Sequence, residues 1–369
     1  MLGAIYAGVV ALVVVNVLPA LVNVIAVGLK WDDRALGMLA SADVAGITLG
    51  SLVGVPIVHR VPLRTVVLWG VATLIAADVI CGSSSVRPMI ILWRVVGGTA
   101  SGLILAACYA IYSGGNPQRN FAAFSIGQMA SGFVGVTAIP LLASRFGWRS
   151  SFYALACITA LALPLSPALP RLPFVKKARA LLDAPGRTDL AVWLAVAGLV
   201  FYVIGEGAVW TFMERIGAAS GISEHDINFS VSACTVAGII GAVVTLFPSK
   251  RLGVALPLTL SALVSVASVA VMRAASPTVF FAALSAFTFT WLSFSTLQFA
   301  AIAKADTVGT ATIAMSAAWY GGFTIGPYLA GELVGRYGFA SVQILGIGGV
   351  ALALLSLVPI FIRGAASSI

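Results

Sequence analysis

Polar residues divide this chain into twelve long apolar stretches, and that division limits its fold more than any other feature. A bilayer core takes about 20 apolar residues as a helix. By that ruler the spans are 2–29, 35–58, 64–83, 87–112, 120–143 and 150–169, then 190–213, 227–248, 253–273, 277–302, 308–335 and 340–362. The stretches are continuous rather than alternating, which points to helices and not strands. Connections of a handful of residues require consecutive helices to run antiparallel and to pack. Composition agrees: 60% of the 369 residues are hydrophobic and 9% are charged, where a soluble domain carries roughly a quarter charged. The first stretch is too long for the apolar core of a secretory signal and leads directly into the second, so no cleavable leader is expected.

The formal net charge of +9 does not point to nucleic acid. The cations stand one to four at a time between apolar runs, without interleaved aromatics, as they do in membrane loops. The polar stretch 171–189 is the exception, with cations Arg171, Lys176, Lys177, Arg179 and Arg187 beside Asp183 and Asp189. With both termini on the cytoplasmic side, twelve cations fall inside and eight outside, and no outer loop matches the central cluster. The positive-inside rule therefore expects cytoplasmic termini and a cytoplasmic linker.

The two flanks of that linker are copies. Gly50-Ser-Leu-Val-Gly-Val-Pro-Ile-Val-His-Arg60 aligns with Gly241-Ala-Val-Val-Thr-Leu-Phe-Pro-Ser-Lys-Arg251, Arg145-Phe-Gly147-Trp148 with Arg336-Tyr-Gly338-Phe339, and Ser41-Ala42 with Ser232-Ala233, all displaced by the same 191 residues. The expected organisation is an all-α integral membrane protein with a six-helix half over 1–170, a linker over 171–189 and a second, pseudo-symmetric half over 190–369. Parallel repeats of this kind are one of the ways in which transporters are built.

Local patterns carry a resemblance to the major facilitator superfamily over the whole length. Arg94-Val-Val-Gly-Gly98-Thr-Ala-Ser-Gly102 in the fourth span resembles that family's arginine-plus-glycines motif. Gly147-Trp148-Arg149-Ser-Ser-Phe152 is similar to the Gly-Trp-Arg…Phe sequence that leads into its sixth helix. Gly54 to Arg64 takes the place of its basic loop between the second and third helices, but this chain offers Val58 or His59 where the family usually has an aspartate. The repeat copy, Lys250-Arg251-Leu-Gly253, lacks the acid too, so the charge-relay role of that loop does not carry over. The family's drug–proton antiporters tend to have a Gly-Pro pair in the fifth helix. Here that place holds Gly135-Val136, and the pair Gly326-Pro327 stands in the eleventh span. The resemblance implies the twelve-helix fold and a central cavity lined by the first, fourth, seventh and tenth helices.

Ionisable residues inside spans are costly and each is a functional candidate. Arg94 either contacts an anionic solute or a proton-bearing acid, or pairs structurally with Asp43 or Asp78, which the topology places at similar depth. Glu206 is the acid of the seventh span and shares a face with Tyr202 and Trp210, four residues apart on either side. A carboxyl group in an apolar cavity can load and release protons near neutral pH, so Glu206 is the proton-coupling candidate, with a neutral glutamate tying helices together as the other reading. Asp43 is a second coupling candidate, balanced between pairing with Arg94 and gating. Asp78 is expected to reach for the outer surface, Glu332 to pair with Arg336, and Lys304 and Asp306 to be solvated.

Uncharged polar residues extend these faces. Asn16 and Asn23 lie seven apart on the first span, Ser101, Cys108 and Tyr112 continue the Arg94 face, and Ser285, Thr288, Trp291, Ser295 and Gln298 form a stripe on the tenth. Polar stripes face a partner helix or a wet cavity rather than lipid, and this set favours a solute path. Gly46, Gly50 and Gly54, the pair Gly98 and Gly102, and the pair Gly322 and Gly326 recur at helical spacing and read as close helix packing. Pro19 and Pro140 are candidate kinks. Cys81, Cys108, Cys157 and Cys234 lie in apolar runs as packing residues, and the histidines His59 and His225 belong to loops without zinc spacing. No metal, cofactor, catalytic constellation or phosphate-binding loop is expected.

These features describe a monomeric secondary transporter of the inner membrane, working by alternating access between rocking halves. Its partners would be the bilayer, a small, partly apolar organic solute of the drug or metabolite efflux type, and protons. An uptake carrier for a small organic anion is the alternative, and a passive pore is the remoter one. An integral-membrane enzyme would need clustered His, Asp or Cys at the membrane boundary.

Overall fold

A computed structural model describes residues 1–112, 117–171, 189–245, 255–306 and 310–366. Most of the expected linker, 172–188, lies outside the described residues. Each of the twelve apolar stretches is helical in whole or in large part. In the first half the helices are α1 (Leu2–Asn16), α2 (Leu18–Leu29), α3 (Asp33–Val58), α4 (Leu63–Ser83), α5 (Arg87–Tyr112), α6 (Pro117–Phe146) and α7 (Arg149–Ala160). In the second they are α8 (Leu190–Ala219), α9 (Glu224–Val244), α10 (Ala255–Val271), α11 (Pro277–Ala305), α12 (Thr310–Tyr337) and α13 (Ala340–Ala366). Among the described residues eight of them, α3 to α6, α8, α9, α11 and α13, are long and apolar enough to cross a membrane, and the α1–α2 pair makes a ninth if taken as one span.

Local chemistry accounts for most helix ends. Asp189 caps α8 by accepting the Ala191 amide at 3.0 Å, and Ser223 caps α9 by accepting the Asp226 amide at 3.2 Å, which satisfies donors that a helix start leaves open. Gly147 (φ 80°) and its repeat partner Gly338 (φ 71°) make the left-handed turns before α7 and α13. That conformation costs a side chain strain, so the repeated Arg-aromatic-Gly-aromatic pattern has a backbone reason. The first expected span is broken: α1 and α2 meet at Val17 with a bend of 51°, and Pro19 sits in the first turn of α2, where its missing N–H is tolerated. Pro140, the other candidate kink, lies inside α6, which continues past it.

Two span limits need correction. The expected helix over 150–169 ends at Ala160 and continues as turns and a short 3-10 segment at Ser166–Ala168, because Pro164, Pro167 and Pro170 cannot sustain an α-helix. The expected 190–213 helix runs on to Ala219 and carries Glu214 into buried surroundings, 1% exposed.

The chain separates into two compact units, Met1–Lys176 and Lys177–Ile369. Inside the first, α3 packs along α5, α4 against α5 and α7, and α1 against α6. Inside the second, the repeat-related pairs recur: α9 along α11, α10 against α11 and α13, and α8 against α12. Glycines permit the tightest of these approaches. A Cβ at Gly98 would run into the Asp43 carbonyl, and one at Gly50 into the Thr99 carbonyl. The repeat partner Gly241 meets the Phe289 carbonyl in the same way on α11. Backbones that touch gain van der Waals contact where lipid supplies no hydrophobic drive between helices.

Candidate functional site

In the first unit, α3, α4 and α5 carry one buried charge cluster. Arg94 is 1% exposed, and its guanidinium donates to an Asp78 carboxylate oxygen at 2.8 Å and faces Asp43 at 3.6 Å. The Phe152 ring of α7 lies 5.7 Å from the guanidinium carbon, within range of a cation–π attraction. Asp78 does not reach for the surface as expected. It is 1% exposed, because a carboxylate among apolar helices is far better stabilised by a guanidinium than by a strained path to water.

The polar residues of α1, α5 and α6 form a second cluster. The Asn16 amide donates to the Gln128 side-chain oxygen and, at 3.1 Å, to Ser131, while Gln128 in turn donates to the Gly8 carbonyl at 3.2 Å. Asn16 is the last residue of α1, so this network holds α6 against the broken joint. Gln128 was not singled out in the sequence, although its amide lies in the middle of an apolar stretch. Tyr112 donates to the Ala4 carbonyl at 2.7 Å, Ser101 is buried, and Asn23 is partly exposed on α2.

In the second unit, α8 and α11 bring several candidates together. Tyr202 donates to the Trp291 carbonyl at 3.1 Å, and its ring lies 4.6 Å from that of Phe294. Trp210 and Trp291 rings are 5.4 Å apart. Trp291 also stacks nearly parallel to Trp319 and Phe323 of α12, at 6.4 and 6.3 Å. Glu206, between Tyr202 and Trp210 on α8, is 2% exposed. Thr288 donates to the Cys234 carbonyl at 2.6 Å and so ties α11 to α9, and Ser295 bonds within its own helix.

Three of these residues keep buried polar atoms without a hydrogen-bond partner among the described residues: one Glu206 oxygen, the Trp291 indole nitrogen and both amide atoms of Gln298, a side chain with 0% exposure. Buried polar groups are satisfied in the great majority of cases, so such a concentration along two helices makes this part of the second unit the candidate site. Trp319 and Phe323 were not identified in the sequence because single aromatics on an apolar helix look like core. Glu214 was missed because the charged pair Glu214-Arg215 read as the end of the span. Asp306, expected to be solvated, is buried, while Lys304 is exposed.

Membrane-length helices in repeat-related halves, with ionisable and amide groups buried among them, define a multi-pass membrane protein. The chain belongs to the Major Facilitator Superfamily, whose model matches residues 3–198. A curated relative, the uncharacterized MFS-type transporter YceJ of Bacillus subtilis (strain 168), is 25% identical over 227 residues, covering 59% of this chain and 58% of that protein. The chain thus matches little more than half the length of this relative. Among solved structures, a mutant of the nucleoside transporter NupG superposes with a TM-score of 0.80 at 14% identity, over 97% of this chain and 98% of that one. The unmutated NupG structure gives 0.78 at 13% identity over 98% of each chain. At such identities the likeness is one of fold.

Proposed function

We propose that this chain is a secondary active transporter that moves a small, partly apolar organic solute across the cytoplasmic membrane by alternating access, coupled to protons and working as a drug or metabolite exporter. The observation that carries this reading is the group of unpartnered polar atoms on Glu206, Trp291 and Gln298 beside the Trp210–Trp291–Trp319 aromatic cluster. Aromatic faces take up the planar, apolar part of a solute. The amide and carboxyl groups take up its polar edge, and a site built to hydrogen-bond discriminates strongly against solutes that cannot. Nucleosides fall within this chemical description, as do many aromatic drugs.

Glu206 is the proton carrier in this proposal, since a carboxyl group in the solute site can exchange its proton against the solute. Asp43 and Arg94 hold each other in the first unit together with Asp78. Uptake of an organic anion would call on Arg94, which already faces two carboxylates, so that reading stands second. The distribution of cations supports cytoplasmic termini and an inner-membrane location, and the chain is taken to act as a monomer with domains over 1–170 and 190–369 joined by 171–189.

Everted membrane vesicles with an acid interior test the proposal. A panel of lipophilic drugs, aromatic acids and nucleosides is added while a pH dye reports the gradient. At least one compound is expected to collapse the gradient with the native chain and to fail with Glu206→Gln. A compound that collapses it equally in both removes Glu206 as the carrier. A well-expressed protein that responds to no compound overturns the export reading.

A further inference from the structure

Tyr202 and Glu206 stand one turn apart on the same face of α8, and their side chains are hydrogen-bonded to each other. The Tyr202 hydroxyl also donates to the backbone carbonyl of Trp291 on α11 at 3.1 Å. A phenol has one proton to give. A carbonyl oxygen only accepts, so that proton is committed to Trp291, and the hydrogen of the Tyr202–Glu206 bond has to come from the carboxyl group. The contacts form a one-way chain, in which the Glu206 acid donates to Tyr202 and Tyr202 donates to α11. Two further observations favour the same protonation state. Glu206 is 2% exposed and one of its oxygens has no hydrogen-bond partner among the described residues, an arrangement that costs a neutral carboxyl group far less than a carboxylate. Among the described ionisable side chains, on α8 and on the helices packed against it, Tyr202 is the one that acts on Glu206, and no lysine or arginine pairs with it.

We infer that Tyr202 is the residue through which the proton on Glu206 acts on α11, a positioning residue of proton coupling and not a contact of the solute. The inference rests on the reading of Glu206 as the proton carrier. When Glu206 gives its proton to water admitted to the site, the carboxylate can only accept. The Tyr202 hydroxyl then turns about its C–O bond toward the carboxylate, because a charge-assisted hydrogen bond is roughly twice as strong as a neutral one. The bond to the Trp291 carbonyl is lost, and the one covalent bond broken is the O–H of Glu206. Trp291 carries the ring shared by Trp210, Trp319 and Phe323, so the release falls on the residue at the centre of the candidate site. The Tyr202 ring, 4.6 Å from that of Phe294, keeps its place while the hydroxyl changes partner.

Infrared spectroscopy of the purified full chain through a pH titration tests the inference, with the proton itself as the probe. The native chain is expected to show a protonated-carboxyl C=O band that is missing from Glu206→Gln. As pH rises that band should vanish together with a change in a tyrosine C–O band. Tyr202→Phe keeps the ring and removes the hydroxyl. Its Glu206 band should move to higher frequency, because the acid has lost its acceptor, and the tyrosine change should be absent. Labelling the tryptophan carbonyls with carbon-13 gives a second reading that needs no variant at Tyr202. A labelled carbonyl band should rise in frequency as Glu206 titrates in the native chain and stay fixed in Glu206→Gln, whose amide keeps donating to Tyr202. A native chain with no Glu206 carboxyl band, or with one that never titrates while the protein is folded, overturns the inference. So does a band that Tyr202→Phe leaves unmoved, or a labelled carbonyl that ignores the titration. Any of these can occur while Glu206→Gln still abolishes gradient collapse in vesicles, which refutes Tyr202 and spares the carrier. Gradient collapse that survives Glu206→Gln removes the carrier and the coupling role of Tyr202 with it.

Discussion

Replacing Asp78 by asparagine tests whether the Arg94 cluster is a fixed structural element of the first unit. Arg94 is 1% exposed, bonded to Asp78 at 2.8 Å and facing Asp43 at 3.6 Å. Asparagine keeps the volume and an oxygen that can accept from the guanidinium, but removes the charge. Hydrogen bonds to charged groups contribute roughly 1.5–3 kcal/mol, so Asp78→Asn is expected to cost about 2 kcal/mol. Asp43 makes an ion contact rather than a hydrogen bond, and Asp43→Asn is expected to cost about 1 kcal/mol on the same scale. With both substituted, the guanidinium is left buried without its counter-charges, a situation that costs about 3–5 kcal/mol. The double variant is placed at the upper end, above the sum of the singles, because each carboxylate partly covers for the loss of the other. Thermal unfolding in detergent reads this out at about 2–4 °C per kcal/mol for a unit of this size, which gives a drop of about 6 °C for Asp78→Asn and about 15 °C for the pair. Adding Arg94→Met to the pair replaces the stranded cation by an apolar side chain of similar reach and should recover much of the loss. A silent Asp78→Asn, strictly additive singles, or a triple variant as unstable as the double would each refute the reasoning. Direct contact between Arg94 and the solute would appear differently, as a raised KM for Arg94→Gln at an unchanged unfolding temperature.

Gly98→Val places a branched side chain against the Asp43 backbone and should cost about 3 kcal/mol by overpacking, seen as a lower yield of monodisperse protein and a lower unfolding temperature. Asn16→Ala strips the α1–α2 joint of its bonds to Gln128 and Ser131 and should cost about 1–2 kcal/mol, measured in the same unfolding assay. Trp291→Ala removes the ring shared by Trp210, Trp319 and Phe323 and should raise KM about tenfold, equivalent to about 1.4 kcal/mol, with expression unchanged; an unaltered KM removes the aromatic cluster from the solute site.

The fold was legible because lipid imposes a simple rule: every spanning segment must satisfy its own backbone, so long apolar runs become helices. The 191-residue repeat was legible because Gly147 and Gly338 serve a backbone need that few other residues meet. Helix ends were less so. Charge misled at Glu214-Arg215, where the helix continues, and apolarity misled at 161–169, where three prolines outweigh it. The Arg94 cluster was half readable: the depth of Asp43 and Asp78 along antiparallel helices made them partners, but the rotamer that turns Asp78 inward depends on packing from α5 and α7. The aromatic cluster was readable on α8 and α11 from polar spacing, and unreadable on α12, where the polar series Thr312, Ser316, Tyr320 and Thr324 draws attention to positions one residue away from Trp319 and Phe323.

The Arg94 cluster also bears on how the chain is made. Its three charges sit on three consecutive spans, and they leave the ribosome in the order Asp43, Asp78, Arg94. An aspartate at the centre of an isolated span is unfavourable by about 2.5–3.5 kcal/mol during insertion. The α3 and α4 helices therefore arrive with charges that nothing yet neutralises, and the cation that relieves both comes last, on α5. The three spans are therefore expected to insert cooperatively, which membrane-integration assays on chains truncated before and after Arg94 would read out. A chain interrupted before Arg94 has two buried-type acids and no cation to pair with them, so it is expected to turn over faster than one that ends beyond α5.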